Sequence, residues 1–502
     1  MRRNDDTKSR SFLTGIKDNW FFVLVWIFLI YLFVTYVLAH FFDGDIYHML
    51  SAGKAIAKQG VIKEDVFFLD SGHKIVIQQW LYDLCVYGIY SRLGKAGILL
   101  ATLVLSLIFM FLAVRVMRYY NINSRLAVTG VLGVCVFSNA IFTIRPGLLT
   151  LILLLIQICL CEKHLKTEKS RYLYLLPLLV ILEINFHASL WIAHFIFLLP
   201  YLVPIPAKIR KYVKLEDNHI SLRKIALPIA GMIAGLFINP YGMDGITILF
   251  KQKEISTLGI QELASPALSS KFAIVMVIFL MIFVFAYGKI TIHSSTAFLF
   301  LGTSVMLVSN LRNIQMYSIG LIVILCDLLA CIPLAKVDTL LRKTSKVLVL
   351  LCVLLDVVYI ATSAINIPFA RQLEDHPSDN MRTPVKAVEY LDENADKDVR
   401  IYAEFSNGAF VSWNDYKFYF CSRTEGYCKG VNGGYDLIGE YLSIFRNTST
   451  SCNETFAEFL SKYDFDYLIV ETQNRLFPYM VTNDDYEAVV NGNGYILFKA
   501  VK

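Results

Sequence analysis

The chain has 502 residues, 56% hydrophobic and 14% aromatic, with a mean hydropathy of +0.54; this excludes an ordinary soluble domain and points to a polytopic membrane protein. Its net charge of +6 is dispersed among loops between apolar runs, so it speaks of topology and implies no nucleic-acid partner. The runs are continuously apolar and do not alternate, which favours spanning helices over a membrane barrel.

In chain order, a basic segment (Arg2, Arg3, Lys8, Arg10, Lys17) precedes the apolar run Trp20 to Ala39. That run is longer than a signal peptide's core and ends without a small-residue cleavage site, so it reads as a retained anchor. Spans are predicted near 20–40, 96–114, 126–142, 147–161, 172–186, 189–205, 225–239, 272–287, 292–309, 314–335 and 346–366, eleven in all. The stretch Tyr172 to Pro204 is divided at Asn185-Phe186-His187, because 33 unbroken residues would form a helix of about 50 Å, too long for one crossing.

With loops assigned alternately, those on the N-terminal side hold about 23 Lys and Arg and the opposite ones about 11 over much more chain. The N-terminus is therefore expected in the cytoplasm, and the protein in the plasma membrane as a multi-pass protein. Residues 1–366 form the transmembrane domain, in which 41–95 is a long first external loop; residues 367–502 have the mixed composition of a small external α/β domain.

Within the loop, Ile46, Met49, Leu50, Gly53 and Ile56/Ala57 recur at helical spacing, which predicts a helix lying along the outer membrane surface. In the tail, Thr383 can cap a helix that has Pro384 at its first position. Strands are expected at "VRIYAEF", "YKFYF", "DYLIVE" and "GYILFKA", with a helix at "ETFAEFLSKY". Cys421, Cys428 and Cys452 sit in polar sequence, where an oxidising exterior could join two of them. Two sequons, at Asn447 and Asn453, are common chance matches.

The unusual polar residues collect at expected external ends. Asp43, Asp45 and His48 follow the first span; Arg145 lies in "IRPG", Glu183 and His187 in "EINFHASL", Asn239 in "INPYG" and Arg312 in "NLRN". Charges inside a hydrocarbon core cost about 2.5 to 3.5 kcal/mol on insertion scales, so the outer ends are where a polar cleft forms most cheaply. A carboxylate there can take a proton from a hydroxyl, and guanidinium forks can hold a departing phosphate.

The ordered series "DGDIYHMLSAGKAI", "DVFF", "QQWLYDLCVYGIYSRLG", "IRPGLL", "INFHASL", "INPYG" and "LRNIQMYSIG" resembles the bacterial branch of the GT-C integral-membrane glycosyltransferases, over roughly residues 20–435. The resemblance implies a GT-C-like helical fold and sugar transfer, with inversion, from a polyprenyl-phosphate donor to a glycan, lipid or protein acceptor. It makes Asp45 the catalytic base and Asp43 its partner; the chemistry of the guanidinium fork puts Arg145 and Arg312 on the donor phosphate. His48, His187, Glu183, Gln79, Trp80 and Asn239 are expected on substrate. Bacterial relatives often carry an acid just before the tryptophan, where this chain has Gln79-Trp80. Arg423, Glu425 and Tyr427 fit the resemblance in the tail and are expected to organise that domain.

Blander roles stand beside these. Asp43 can cap the surface helix, Asp45 can compensate its dipole, and the two arginines can anchor span ends. A divalent metal at Asp45 and His48 is possible by spacing but lacks a third ligand in register. Asn239 can simply shape a turn. The competing functions are a flippase or transporter of lipid-linked glycans, to which Glu183, Asp327 and Asp356 would lend titratable groups, and a polysaccharide polymerase or ligase.

Overall fold

Only helices can satisfy the backbone of such apolar runs in lipid, and the computed structural model of the chain is largely built from them. It describes residues 3–42, 44–205, 215–258, 264–267, 271–287, 290–332, 378–446 and 452–501. Asp43, Asp356, the last expected span at 346–366 and the sequon at 447–449 lie outside the described residues, as do the side chains of Cys452 and Asn453.

In order come α1 (Arg3–His40), α2 (Ile46–Gln59), α3 (Trp80–Tyr119), α4 (Ser124–Phe137), α5 (Pro146–Thr167), α6 (Leu176–Phe186) and α7 (Trp191–Leu202), then helices Leu222–Gly235, Met243–Lys251, Lys271–Tyr287, Ser294–Ser309 and Ile314–Ala330. Thus a helix stands at each described position where a span is expected. Among the described residues four stretches, Phe22–His40, α3, α5 and Leu311–Ala330, are long and apolar enough to cross a membrane. α3 exposes Leu100, Val104, Leu107, Ile108 and Phe111, an outward apolar row of the kind lipid solvates.

The division of Tyr172 to Pro204 is present as a reversal. α6 ends at Phe186, His187 leaves helical geometry (φ −157, ψ 70), and α7 begins at Trp191. Side-chain partners along α5 give the directions. Thr150 bonds Glu183 and meets His187, Gln157 pairs with His194, and Glu162 accepts from Tyr201. Lys163, near the end of α5, stands over the Tyr172 ring that precedes α6. Hence α6 runs back along α5, and α7 returns parallel to it.

α3 is two helices. Gly94, at φ 58 and ψ −153, takes a conformation open in practice only to glycine. The half before it packs on α2 so closely that a Cβ on Gly53 would meet the Asp83 carbonyl oxygen at 2.2 Å and Tyr87 Cβ at 2.5 Å. The expected surface helix is therefore an interior one. α2 is wedged between this half of α3 and the helix Gly408–Trp413 of the C-terminal domain, with Tyr47 edge-on to Phe410 at 4.9 Å between centroids. Its apolar stripe is read correctly; the second covering surface comes from residues some 360 positions away, which periodicity cannot show.

At the end of the bundle remote from α2, Tyr120 and Tyr201 both donate to Glu162 (2.8 and 2.9 Å). Nearby, Asp327 accepts from the His293 backbone N–H (2.9 Å) and ring (2.6 Å) and from Thr296. Asp327 thus satisfies the start of the helix Ser294–Ser309, a job for a buried carboxylate that needs no substrate.

The C-terminal domain holds a sheet of order β3-β4-β6-β5: β3 (Ile401–Tyr402), β4 (Tyr467–Glu471), β5 (Tyr486–Asn491) and β6 (Tyr495–Ala500); β1 (Leu215–Glu216) and β2 (Ile292–His293) form a separate parallel pair. β3 pairs parallel with β4, and the rest is antiparallel. "YKFYF" is not a strand: Phe418 makes single bridges to Phe68 of the first loop and to Ile401. The unexpected β5 is a half-exposed edge strand without clear alternation. The helix at 385 starts one residue later than predicted, with Pro384 at the cap position and the Thr383 hydroxyl donating instead to the Ser378 carbonyl at 2.8 Å. Cys421 and Cys428 are buried free thiols, so neither enters the pairing that an oxidising exterior would permit.

Two stability outcomes follow. Gly53→Ala forces α2 and α3 apart, and overpacking of this kind costs about 1–3 kcal/mol; a lowered melting temperature of the full chain in detergent checks it. In the domain core, burial and the neighbouring Glu471 carboxylate push Glu404 from 4.5 up to about 8. Its stabilising contribution is complete below the unfolded value and lost as pH rises through the folded one, so stability should fall between pH 4.5 and about 8. Glu404→Gln should flatten that fall in melts recorded across the window.

Candidate active site at the domain seam

α1 ends at His40, Phe41-Phe42 follow it, the chain turns through Gly44, and Asp45 occupies the N-cap position of α2. Its carboxylate makes no capping bond to the helix. Oδ2 instead accepts from Nη2 of Arg145 at 2.7 Å, with the side chains 40% and 36% exposed. Arg145 is itself the N-cap of α5, held in extended geometry ahead of Pro146, which restricts the residue before it. Two residues 100 positions apart therefore meet at an accessible charged pair.

More positive charge surrounds this motif than its sequence suggests. The Lys95 amine stands 5.2 Å from the centroid of the Phe42 ring, on a residue only 5% exposed and placed just past the Gly94 break. From the C-terminal domain, Arg382 packs over Gly44: a Cβ there would lie 3.5 Å from Arg382 Cβ and 3.6 Å from its Cδ. Neither cation was legible as a site residue. Lys95 looks like the flank of an apolar run, and nothing in "MRTP" points across the chain to residue 44.

The other expected site residues divide. Arg312 is exposed on the turn Leu311–Asn313 and has no carboxylate partner among the described residues. Its charge acts on His187 and Glu425, so the two arginines do not share one carboxylate. His48 lies in the first turn of α2, where its carbonyl accepts from Ser51 and Arg423. Gln79 is buried and donates to Asp83 Oδ1 at 2.9 Å, while Trp80 donates to Asn185 at 3.1 Å and ties α3 to α6. Glu183 is fully buried: the Thr150 hydroxyl donates to it at 2.6 Å and His194 Nε2 lies 3.5 Å away. Such a carboxylate is out of reach of a ligand in the cleft, and His187, 7% exposed, belongs to the same network.

Asn239 closes its own turn, donating to the Leu236 and Gly242 carbonyls and accepting from Tyr241 N–H. The following helix, Met243–Lys251, is tied down by Trp191, which donates to the Ile246 carbonyl at 3.0 Å. Among the described residues no three His, Cys, Asp or Glu side chains come together in a way that could hold a metal ion.

Behind the exposed pair sits a buried charge cluster. The Arg423 guanidinium lies 4.2 Å from the Phe67 ring centroid and donates to the His48 carbonyl. It acts on the carboxyls of Asp65, Asp83 and Glu425; burial raises all three above their ordinary range, and Arg423 opposes the rise. Asp65 also accepts from the Phe67 and Phe68 N–H groups at 2.8 and 3.2 Å. The seam is completed by Lys54–Asp415 at 2.7 Å, Arg400–Asp70 at 3.1 Å and Lys74 N–H to the Asn432 carbonyl at 3.1 Å.

Arg423→Gln should lower the melting temperature, since it removes a buried cation from the Phe67 ring and from the His48 carbonyl, and a hydrogen bond from a charged group is worth about 1.5–3 kcal/mol. Limited proteolysis of that variant should release the C-terminal domain early, and adding Asp83→Asn should restore part of the loss.

No protein-family model matches the chain, and no characterised protein matches it in sequence. Among solved structures it is similar to the oligosaccharyltransferase of Archaeoglobus fulgidus. The apo form gives a TM-score of 0.49 at 9% identity, covering 91% of this chain and 70% of that one. The form tethered with an acceptor peptide containing the NVT sequon gives 0.47 at 10%, covering 92% and 70%. At these values the likeness is one of general course and carries no residue correspondence.

Proposed function

We propose that the chain is a membrane glycosyltransferase that moves a sugar from a polyprenyl-phosphate donor to an acceptor hydroxyl, with inversion, on the external face. The observation that carries the reading is the Asp45–Arg145 pair, exposed at 2.7 Å, with Lys95 by the preceding Phe42 and Arg382 against Gly44. It puts a proton acceptor and a phosphate-holding fork one hydrogen bond apart. The motif resemblance, which makes Asp45 the base with Asp43 as its partner, supports it.

In the step, the acceptor O–H gives its proton to the Asp45 carboxylate as its oxygen bonds to the sugar's anomeric carbon. The bond from that carbon to the phosphate oxygen breaks, and the phosphate leaves with the electron pair, held by Arg145. A guanidinium carries five N–H donors in a planar fork, and Arg145 spends one of them on Asp45. Arg312 lies farther off, beside His187, where it can meet the remainder of a phosphorylated lipid. The helix Met243–Lys251 roofs the same end of the bundle.

Asp45→Asn should lower transfer by at least about 100-fold, the scale of a general base, with folding and binding of a polyprenyl-phosphate sugar retained; undiminished transfer would remove the assignment.

One observation favours the transport reading instead. Glu183, His187, His194 and Gln157, then Glu162 with Tyr120 and Tyr201, and finally His293 with Asp327, form a buried polar column along α5. Titratable groups through a membrane domain are what a pump or flippase needs. If reconstituted vesicles translocate lipid-linked sugar without making a glycosidic bond, that reading replaces the first.

A further inference from the structure

Along α2, away from Asp45, a cavity of about 250 Å³ opens at the seam with the C-terminal domain. Lys54 and Lys58 of α2 line it from one side and Lys397 and Lys417 from the other, with Phe67 and Ser412 among the rest of the wall. Two of these lysines are already neutralised. Lys54 pairs with Asp415 at 2.7 Å and lies over Trp413; Lys397 pairs with Asp392 at 2.5 Å and lies over Tyr416. Lys58 and Lys417 are exposed and have no carboxylate partner among the described residues.

The wall carries a second signal. Ser412 is only 6% exposed, and its hydroxyl oxygen is buried with no hydrogen-bond partner. Leaving a buried hydroxyl unpaired costs roughly 1–3 kcal/mol, and Ser412 belongs to the wall of this cavity, so a polar ligand that reaches its hydroxyl would relieve that cost. Water could fill it, but water leaves the excess positive charge uncompensated. The cavity therefore asks for a small polar anion, rich in oxygen acceptors, against a wall that is partly aromatic.

We propose that this cavity is a subsite for an acidic saccharide unit, its carboxylate or phosphate held between Lys58 and Lys417 and a neighbouring oxygen bonded by Ser412. It rests on the glycosyltransferase reading only in taking that unit to be part of the acceptor. Lys58 stands 13 residues beyond Asp45 in the sequence, which along a helix is about 20 Å. A saccharide seated here would thus present a more distant hydroxyl to Asp45, and the class of acceptor would be an anionic glycan.

The test is calorimetric titration of the full chain in neutral detergent with trigalacturonate, using maltotriose as the uncharged control, without donor. The acidic trisaccharide should bind at least tenfold tighter than the neutral one, and more weakly as salt rises. Lys58→Gln with Lys417→Gln should lose that preference at an unchanged melting temperature, and Ser412→Ala should weaken binding several-fold. Equal affinity for the two sugars, indifference to the lysine changes, or binding seen only with phosphatidylglycerol nanodiscs would overturn the proposal. Because no turnover is read, the two ideas fail separately: wild-type transfer by Asp45→Asn would sink the function and leave this site standing.

Discussion

The geometry at the seam turns on one guanidinium. Arg423 is inserted from the C-terminal domain among Asp65, Asp83 and Glu425, against Phe67, and reaches the His48 carbonyl. Burying three acids is tolerable only when a cation and hydrogen bonds compensate them. The same contact fixes the first turn of α2, which starts at the residue after Asp45. The C-terminal domain thereby holds in place the helix whose cap position carries the proposed base, and Gly53 locks the other side of that helix to α3.

The membrane part repeats the theme of polar groups gathered at ends. Thr150, Glu183 and His187 join α5 to the α6–α7 reversal, while Glu162 and Asp327 organise the opposite end. Several carboxylates that look like chemistry in the sequence prove to be fasteners. A carboxylate deep in a helical bundle costs so much unpaired that its neighbours are chosen to satisfy it.

Most of the helical course was legible, because runs of apolar residues near bilayer length have few alternative structures; even the break at His187 followed from length alone. Asp45 and Arg145 could be named singly, and their pairing could not, since neither spacing nor composition links position 45 to position 145. The partners of Glu183 and Asn239 were not legible for a common reason: a polar residue near a span end carries the same signature whether it touches a ligand or bonds its own neighbours. Arg382, Asp65 and Asp83 were missed because their significance lies in contacts between the first loop and the C-terminal part of the chain, and Lys95 because its approach to Phe42 is likewise visible only in three dimensions. The strand expected at 416–420 failed similarly, its pairing reduced to single bridges from Phe418 to Phe68 and Ile401.

The glycine joint in α3 has a mechanical corollary. The segment beyond it, residues 95–119, spans about 37 Å as a helix, longer than a hydrocarbon layer of roughly 30 Å. A stretch of excess length tilts to fit, and a rigid rod of 40 residues would swing its outer third through the bilayer surface as it did so. A joint at position 94 uncouples the two movements. Bilayers of differing thickness would therefore change the slope of the inner rod while the outer piece stays clasped to α2, leaving the charged pair undisturbed.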